Sequence, residues 1–116
     1  MTAVEDRELS HFEAALRSHY GSMLIDVTLF GSRARGDAQA DSDYDVAVVL
    51  ADGDWLAWRE RQVMSNFAYD ILVDSGIDIQ PWPIAKSDWE HPAKYSNPRF
   101  IANVRNDGRP IRMRLP

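Results

Sequence analysis

Apolar positions along the chain alternate between two periods. Leu9, Phe12, Leu16 and Tyr20 recur at helical spacing and Gly21 follows as a stop, which predicts an amphipathic helix over residues 4–20. Residues 25–30, Ile-Asp-Val-Thr-Leu-Phe, are short and rich in strand formers, and Gly31 punctuates them. A polar stretch covers residues 32–42. The clearest strand of the chain then runs over 44–50, Tyr-Asp-Val-Ala-Val-Val-Leu.

Asp52-Gly53 marks a turn, after which Asp54 is placed to cap a helix starting at Trp55. Leu56, Val63, Phe67 and Ile71 predict one apolar stripe on that helix, which runs to about Val73 and ends before Gly76. A third strand is expected over 77–84, with Pro81 and Pro83 demoting its far half to an edge or bulge. Asn97-Pro98 starts a last helix, with Asn as cap and Pro at the first helical position. Phe100, Ile101 and Val104 supply its buried face, and Gly108 with Pro110 ends it. Alternation of Ile111, Met113 and Leu115 with Arg112 and Arg114 leaves room for a final short strand. The interleaving predicts an α/β fold, a small mixed β-sheet flanked by helices, in a single domain over residues 1–116.

Composition narrows the class. The 116 residues are 45% hydrophobic and carry a formal net charge of -5, so a packed core is feasible. The same charge argues against a sequence-independent grip on nucleic acid, which needs phosphate neutralisation by Lys and Arg. Cysteine is absent, which excludes disulfides and Cys-based zinc sites. Glu5, Asp6, Arg7 and Glu8 stand where a signal peptide needs an apolar run, and no stretch approaches the ~20 apolar residues of a membrane span. A soluble cytoplasmic protein is expected.

The candidate chemistry lies at the strand ends. Asp43 and Asp45 are two apart at the mouth of a strand, so both project from one face while Tyr44 points to the other. Paired carboxylates repel unless a cation lies between them, and Mg²⁺ is the ion that takes hard oxygen ligands together with substrate phosphates. Asp78, expected within the third strand, is the best candidate for a third carboxylate, ahead of Asp70 and Asp74 on the helix. Gly31-Ser32 follows a strand, where free backbone N–H groups at a turn cradle phosphates and glycine permits close approach. Arg33 and Arg35 add positive charge there, with phosphate contact and plain solubility weighing equally. Asp41 forms a competing pair with Asp43 but more naturally initiates a turn. His11, His19 and His91 lack metal-ligand spacing. Arg105, Arg109, Arg112 and Arg114 read as a solvated face, and Trp55 and Trp58 as core or interface.

Gly-Ser, ten residues, then Asp-x-Asp is a specific pattern. The stretch LFGSRARGDAQADSDYDVAVVL resembles the signature of the polymerase-beta-like nucleotidyltransferase superfamily, with the closest likeness to its minimal members, the MNT proteins. GIDIQPWPI is similar to that family's third-carboxylate strand and FIANVRNDGRPI to its C-terminal helix and exit, so the likeness spans residues 25–111. It implies that Ser32 contacts triphosphate, that Asp43 and Asp45 hold Mg²⁺, and that Asp78 is a third ligand or activates the attacking hydroxyl. It further implies an antitoxin that transfers AMP from ATP to a tyrosine of a HEPN-domain ribonuclease toxin, and it leaves open an oligomer formed with that partner. Pro81, Pro83 and Trp82 depart from the family's aliphatic strand and bear on the acceptor side. Two alternatives stand beside this reading. One is an antitoxin that inhibits by binding alone; the other is an aminoglycoside-type nucleotidyltransferase, which ordinarily carries an additional helical domain.

Overall fold

The most apolar run of the sequence becomes an interior strand. The structure, a computed structural model, describes residues 3–111. In chain order its elements are α1 (Ala3–Tyr20), a 3₁₀ turn (Gly21–Met23), β1 (Leu24–Phe30), α2 (Ser32–Arg35), β2 (Tyr44–Leu50), α3 (Ala57–Ser75) and β3 (Ile79–Ala85). They continue with α4 (Lys86–Glu90), a second 3₁₀ turn (Pro92–Lys94), α5 (Pro98–Asp107) and β4 (Arg109–Pro110). The sheet order is β3-β2-β1-β4, with β1 antiparallel to β2 and β4, and β3 parallel to β2. This is the expected α/β architecture on a small mixed sheet. Val46, Ala47, Val48, Val49 and Leu50 are all fully buried, which explains why β2 reads as a continuous apolar run and not an alternating one.

Two cores lie on opposite faces of the sheet. On one face, Leu9, Phe12 and Leu16 of α1 and Met64, Ala68 and Ile71 of α3 pack on Val27, Leu29, Tyr44, Val46 and Val48. Full burial of a Leu, Phe, Met or Val side chain in this set contributes about 1.5–3 kcal/mol. On the other face a smaller cluster joins Ala47 and Ile84 to Ile101 and Val104 of α5, with Phe30 and Phe100 edge to face at 5.6 Å. Asn97 caps α5 as expected, its side chain accepting from the Phe100 N–H at 3.3 Å. Gly108 then lets the chain turn tightly over β1, since a Cβ there would lie 2.5 Å from both Thr28 Cγ2 and the Val104 carbonyl.

Several expectations are corrected. Helix α3 begins at Ala57 with Leu56 at the cap and no side-chain capping bond, so Asp54 does not cap it. Its core stripe is Met64, Ala68 and Ile71, while Val63 and Phe67 are only partly buried and Leu56 is exposed. The apolar pattern of α3 spreads over more than one face, so a stripe one residue out of phase matched it nearly as well. Strand β3 begins at Ile79, and Asp78 stands one residue ahead of it. Helix α4 and the turn after it were not anticipated, because five residues carry too little periodicity to register.

Pro81 and Pro83 do occupy an edge strand, and they leave its pairing with β2 unbroken through Ala85. The Asp78 carbonyl accepts from the Tyr44 N–H at 2.8 Å, so even-numbered residues of β3 turn their backbone groups toward β2. The prolines fall on the odd positions that face outward, where no N–H is needed. At the other edge β4 pairs with Thr28 and Leu29, and the Ile111 N–H donates to the Val27 carbonyl at 2.9 Å. The expected strand over 111–115 lies, beyond Ile111, outside the described residues. Among those residues no helix is long and apolar enough to cross a membrane.

Candidate active site

Register builds the site. Tyr44 pairs with Ile79 and Asp45 with Gln80, so Asp43 stands opposite Asp78 across the mouth of the β2–β3 pair. Side chains of alternate residues share a face, so Asp43, Asp45, Asp78, Gln80 and Trp82 emerge together on the α5 side of the sheet. Tyr44 points the other way and is buried, its hydroxyl donating to Glu5 Oε1 at 2.6 Å. Burial and that hydrogen bond push the Tyr44 phenol up to about 12.

The carboxylates are crowded. Asp43 keeps much of its exposure. Even so, partial loss of hydration, then charge repulsion and a hydrogen bond from Asp78, and more weakly Asp45 and Asp41, push its carboxyl above the ordinary 3.8. Burial raises Asp45 as well, opposed by the Trp82 indole N–H, which donates to its Oδ1 at 3.4 Å, and by the Arg61 charge. Gln80 Nε2 donates to Asp78 Oδ1 at 2.9 Å. Among the described residues no three His, Asp or Glu side chains are gathered at metal-ligand spacing. The structure instead joins Asp43 to Asp78 and turns Asp45 onto Trp82. Two opposed hard carboxylates suit Mg²⁺, which is held by one or two carboxylates and completes its shell with waters and substrate phosphates.

Gly31 closes the site from the β1 side. Its φ of +77° is one that L side chains rarely adopt, and a Cβ there would meet Asp45 Oδ2 at 2.7 Å. Glycine is therefore what lets the Ser32 turn approach the carboxylates. The hydrogen bonds of α2 begin at Ala34, whose N–H donates to the Gly31 carbonyl, so the amides of Ser32 and Arg33 precede the helical ladder.

The two arginines lie differently from one another. Arg33 is turned onto its own loop, with Nη2 donating to the Ser42 carbonyl at 2.9 Å and the Ala40 carbonyl at 3.2 Å. Its guanidinium also lies 4.3 Å from the Tyr44 ring centroid, so it fixes the loop that delivers Asp43. Arg35 is more exposed and pairs with Asp37 at 3.2 Å and Asp107 at 3.4 Å. Asp41 is exposed on that loop, and Asp70 and Asp74 are exposed on α3.

Sequence reasoning left Gln80 and Arg61 out of the site. Gln80 had a signal, because it continues the period-two face of Asp78. Arg61 had none; it arrives from α3, with its guanidinium 4.1 Å from the Trp82 ring centroid. Beside it opens a cleft of about 590 Å³ lined by Trp58, Arg61, Ser65, Trp82, Pro83 and Tyr95.

Comparison with known proteins gives the family and the fold. Residues 9–91, which include all three aspartates, match the nucleotidyltransferase domain family. Over 105 residues the chain is 40% identical to "Putative protein adenylyltransferase MJ0604" of Methanocaldococcus jannaschii, covering 90% of this chain and 95% of that protein. The fold is similar to that of a toxin–antitoxin crystal structure with AMP-PNP, at a TM-score of 0.58 and 20% identity over 88% of this chain and 71% of that one. It is also similar to a nucleotidyltransferase structure from Sulfolobus solfataricus, at a TM-score of 0.56 and 22% identity over 73% of this chain and 70% of that one. A mutant of the MntA–HpeT toxin–antitoxin complex aligns at a TM-score of 0.58 and 18% identity, again over 88% and 71%. At these identities the structural likeness is one of fold; the family rests on the sequence matches. With its carboxylates and glycine turn inside the matched region, the chain belongs to the nucleotidyltransferase domain family and is a nucleotidyltransferase.

Proposed function

We propose that this nucleotidyltransferase moves AMP from ATP onto a protein hydroxyl, a tyrosine of a HEPN-domain ribonuclease toxin, and thereby acts as that toxin's cytoplasmic antitoxin. The observation that carries the reading is the placement of Asp43 opposite Asp78, on the same face as Asp45 and beside the Gly31 turn. The adenylyltransferase name of the Methanocaldococcus jannaschii relative and the toxin–antitoxin assemblies of the structural neighbours support the choice of nucleotide and partner.

In this reading Ser32 Oγ and the first amides of the turn receive the β- and γ-phosphates of ATP. Asp43 and Asp45 would hold Mg²⁺, which takes one or two carboxylates together with substrate phosphates. When bound, the ion supplies positive charge for the α-phosphate and the departing pyrophosphate. Asp78 accepts the proton of the attacking hydroxyl, whose oxygen bonds to the α-phosphorus as the bond to the β-phosphate oxygen breaks. Gln80 steadies Asp78, and the Trp82 indole steadies Asp45.

Intact mass is the test. A trace of this chain is mixed with ATP, Mg²⁺ and excess HEPN-domain protein. The expected outcome is a gain of one AMP or a multiple on most acceptor molecules, absent with Asp78→Asn. Neutralisation of the toxin without ATP, at one-to-one stoichiometry and unchanged by Asp45→Asn, would establish inhibition by binding instead.

A further inference from the structure

Five of the eight strongly exposed large apolar side chains among the described residues belong to α3 or its cap: Leu56, Trp58, Tyr69, Leu72 and Val73. Scattered exposed apolar residues are ordinary. These are not scattered. At 100° per residue, Trp58, Ser65, Tyr69, Leu72 and Val73 fall within about 100° of one another, a stripe distinct from the core face of Met64, Ala68 and Ile71. Trp58, Tyr69 and Val73 are 63%, 63% and 65% exposed.

The stripe borders a trough. The cleft of about 590 Å³ beside Trp58 and Tyr95 ends at Ser65, where a second hollow of about 180 Å³ begins, bounded by Tyr69, Leu72, Gln80 and Asp78. Together they run between α3 and the open edge of β3 and finish at a candidate catalytic carboxylate. We propose that this trough is the docking surface for a helix of the acceptor protein, seated by its apolar side and carrying its acceptor hydroxyl, flanked by basic residues, at the Asp78 end. The proposal rests on the group-transfer reading above and names the surface through which that partner is held.

Three observations select this occupant. Pro81 and Pro83 deny the edge of β3 outward N–H donors, so an extended peptide adding a strand is disfavoured and side-chain packing against a helix is what the surface offers. The far end of the trough is acidic, with Asp78 on its lining and Asp43 opposite that residue, which favours basic neighbours around the hydroxyl. A second copy of this chain, at net charge -5, would bring like charge. Direction is the third. With pyrophosphate leaving toward Ser32 on the β1 side, in-line attack comes from the opposite side, toward β3, where the trough ends.

The experiment uses Tyr69→Glu/Val73→Glu, two exposed positions outside the carboxylate set, and a HEPN-domain protein as probe. Affinity is measured by calorimetry without ATP, and label transfer from α-labelled ATP with Mg²⁺ is measured separately. Removing two apolar anchors should weaken binding and raise the acceptor KM roughly thirtyfold, with affinity for a fluorescent ATP analogue unchanged. Binding and KM equal to wild type would overturn the docking surface while leaving the transfer reading intact. Binding lost in the variant, with no label transferred by wild type, would uphold the surface and overturn the transfer reading. Absence of both binding and labelling in wild type would overturn both. A variant that only abolishes self-association in sedimentation would assign the stripe to a second copy and overturn the proposal.

Discussion

The two faces of the sheet are built from the same strands and answer to different demands. On the α1 and α3 face, Leu29, Val46 and Val48 meet Phe12, Leu16 and Met64, and the packing is apolar nearly throughout. On the α5 face the same strands present Asp45 beside Phe30, Asp43 opposite Asp78, and only a small cluster around Ala47, Ile84, Ile101 and Val104. The first face lowers the free energy of the fold. The second keeps carboxylates together at positions where their charges oppose one another. Alternation of side chains along β2 lets seven residues serve both, since Tyr44 and Asp45 are neighbours in sequence and lie on opposite faces.

Substitutions that separate the faces should separate stability from activity. Phe12→Ala removes a fully buried ring from the first face and should cost about 3–5 kcal/mol, read as a lower denaturant midpoint, with the transfer rate per folded molecule unchanged. Gly31→Ala attacks the junction between the β1 turn and the second face. At φ +77° and ψ -159° the backbone lies in a region essentially reserved for glycine, which costs another residue on the order of 1–3 kcal/mol, and the new Cβ displaces the Asp45 carboxylate, so transfer should fall by more than the stability loss explains. Ser32→Ala keeps the backbone cradle and loses one hydrogen bond to a charged group, about 1.5–3 kcal/mol, read as a roughly ten- to hundredfold weaker ATP interaction with an unchanged melting temperature.

On stability, as distinct from transfer, Asp43→Asn gives the smallest effect and inverts its sign. Because the folded state raises the Asp43 pKa above 3.8, ionisation opposes folding: the stability present below the unfolded value is lost as pH rises through the folded one. The asparagine variant should therefore melt slightly higher than wild type at neutral pH without Mg²⁺. That advantage should vanish below pH 3.8, and thermal scans across pH read it directly.

Legibility in the sequence divided along similar lines. Residues 44–50 identified themselves as a strand because burial on both faces demands an unbroken apolar run, and Asn97-Pro98 marked the start of α5 because cap chemistry is local. Gly31, Ser32 and the Asp43–Asp45 spacing were legible for the same reason, being a turn and a period-two repeat. What escaped depended on tertiary placement. The face of α3 that meets the sheet was fixed by packing and not by pattern, so Met64 and Ala68 displaced Val63 and Phe67. Arg61 reaches the site only because α3 crosses beside β3. The commitment of Arg33 to the Ser42 and Ala40 carbonyls is a loop-closing contact that no local spacing announces.

The central claim is that Asp43, Asp45 and Asp78 act as one catalytic set on the polar face. Its most direct measurement is the rate of label transfer from α-labelled ATP by Asp45→Asn, by Asp78→Asn and by the pair combined, in proteins whose folding is matched by melting temperature. Residues that work as a unit give strongly non-additive losses, so each single variant should lose at least about a thousandfold and the double should be little worse than either. Modest single losses that multiply in the double variant, or undiminished transfer in any of the three, would contradict a shared catalytic site.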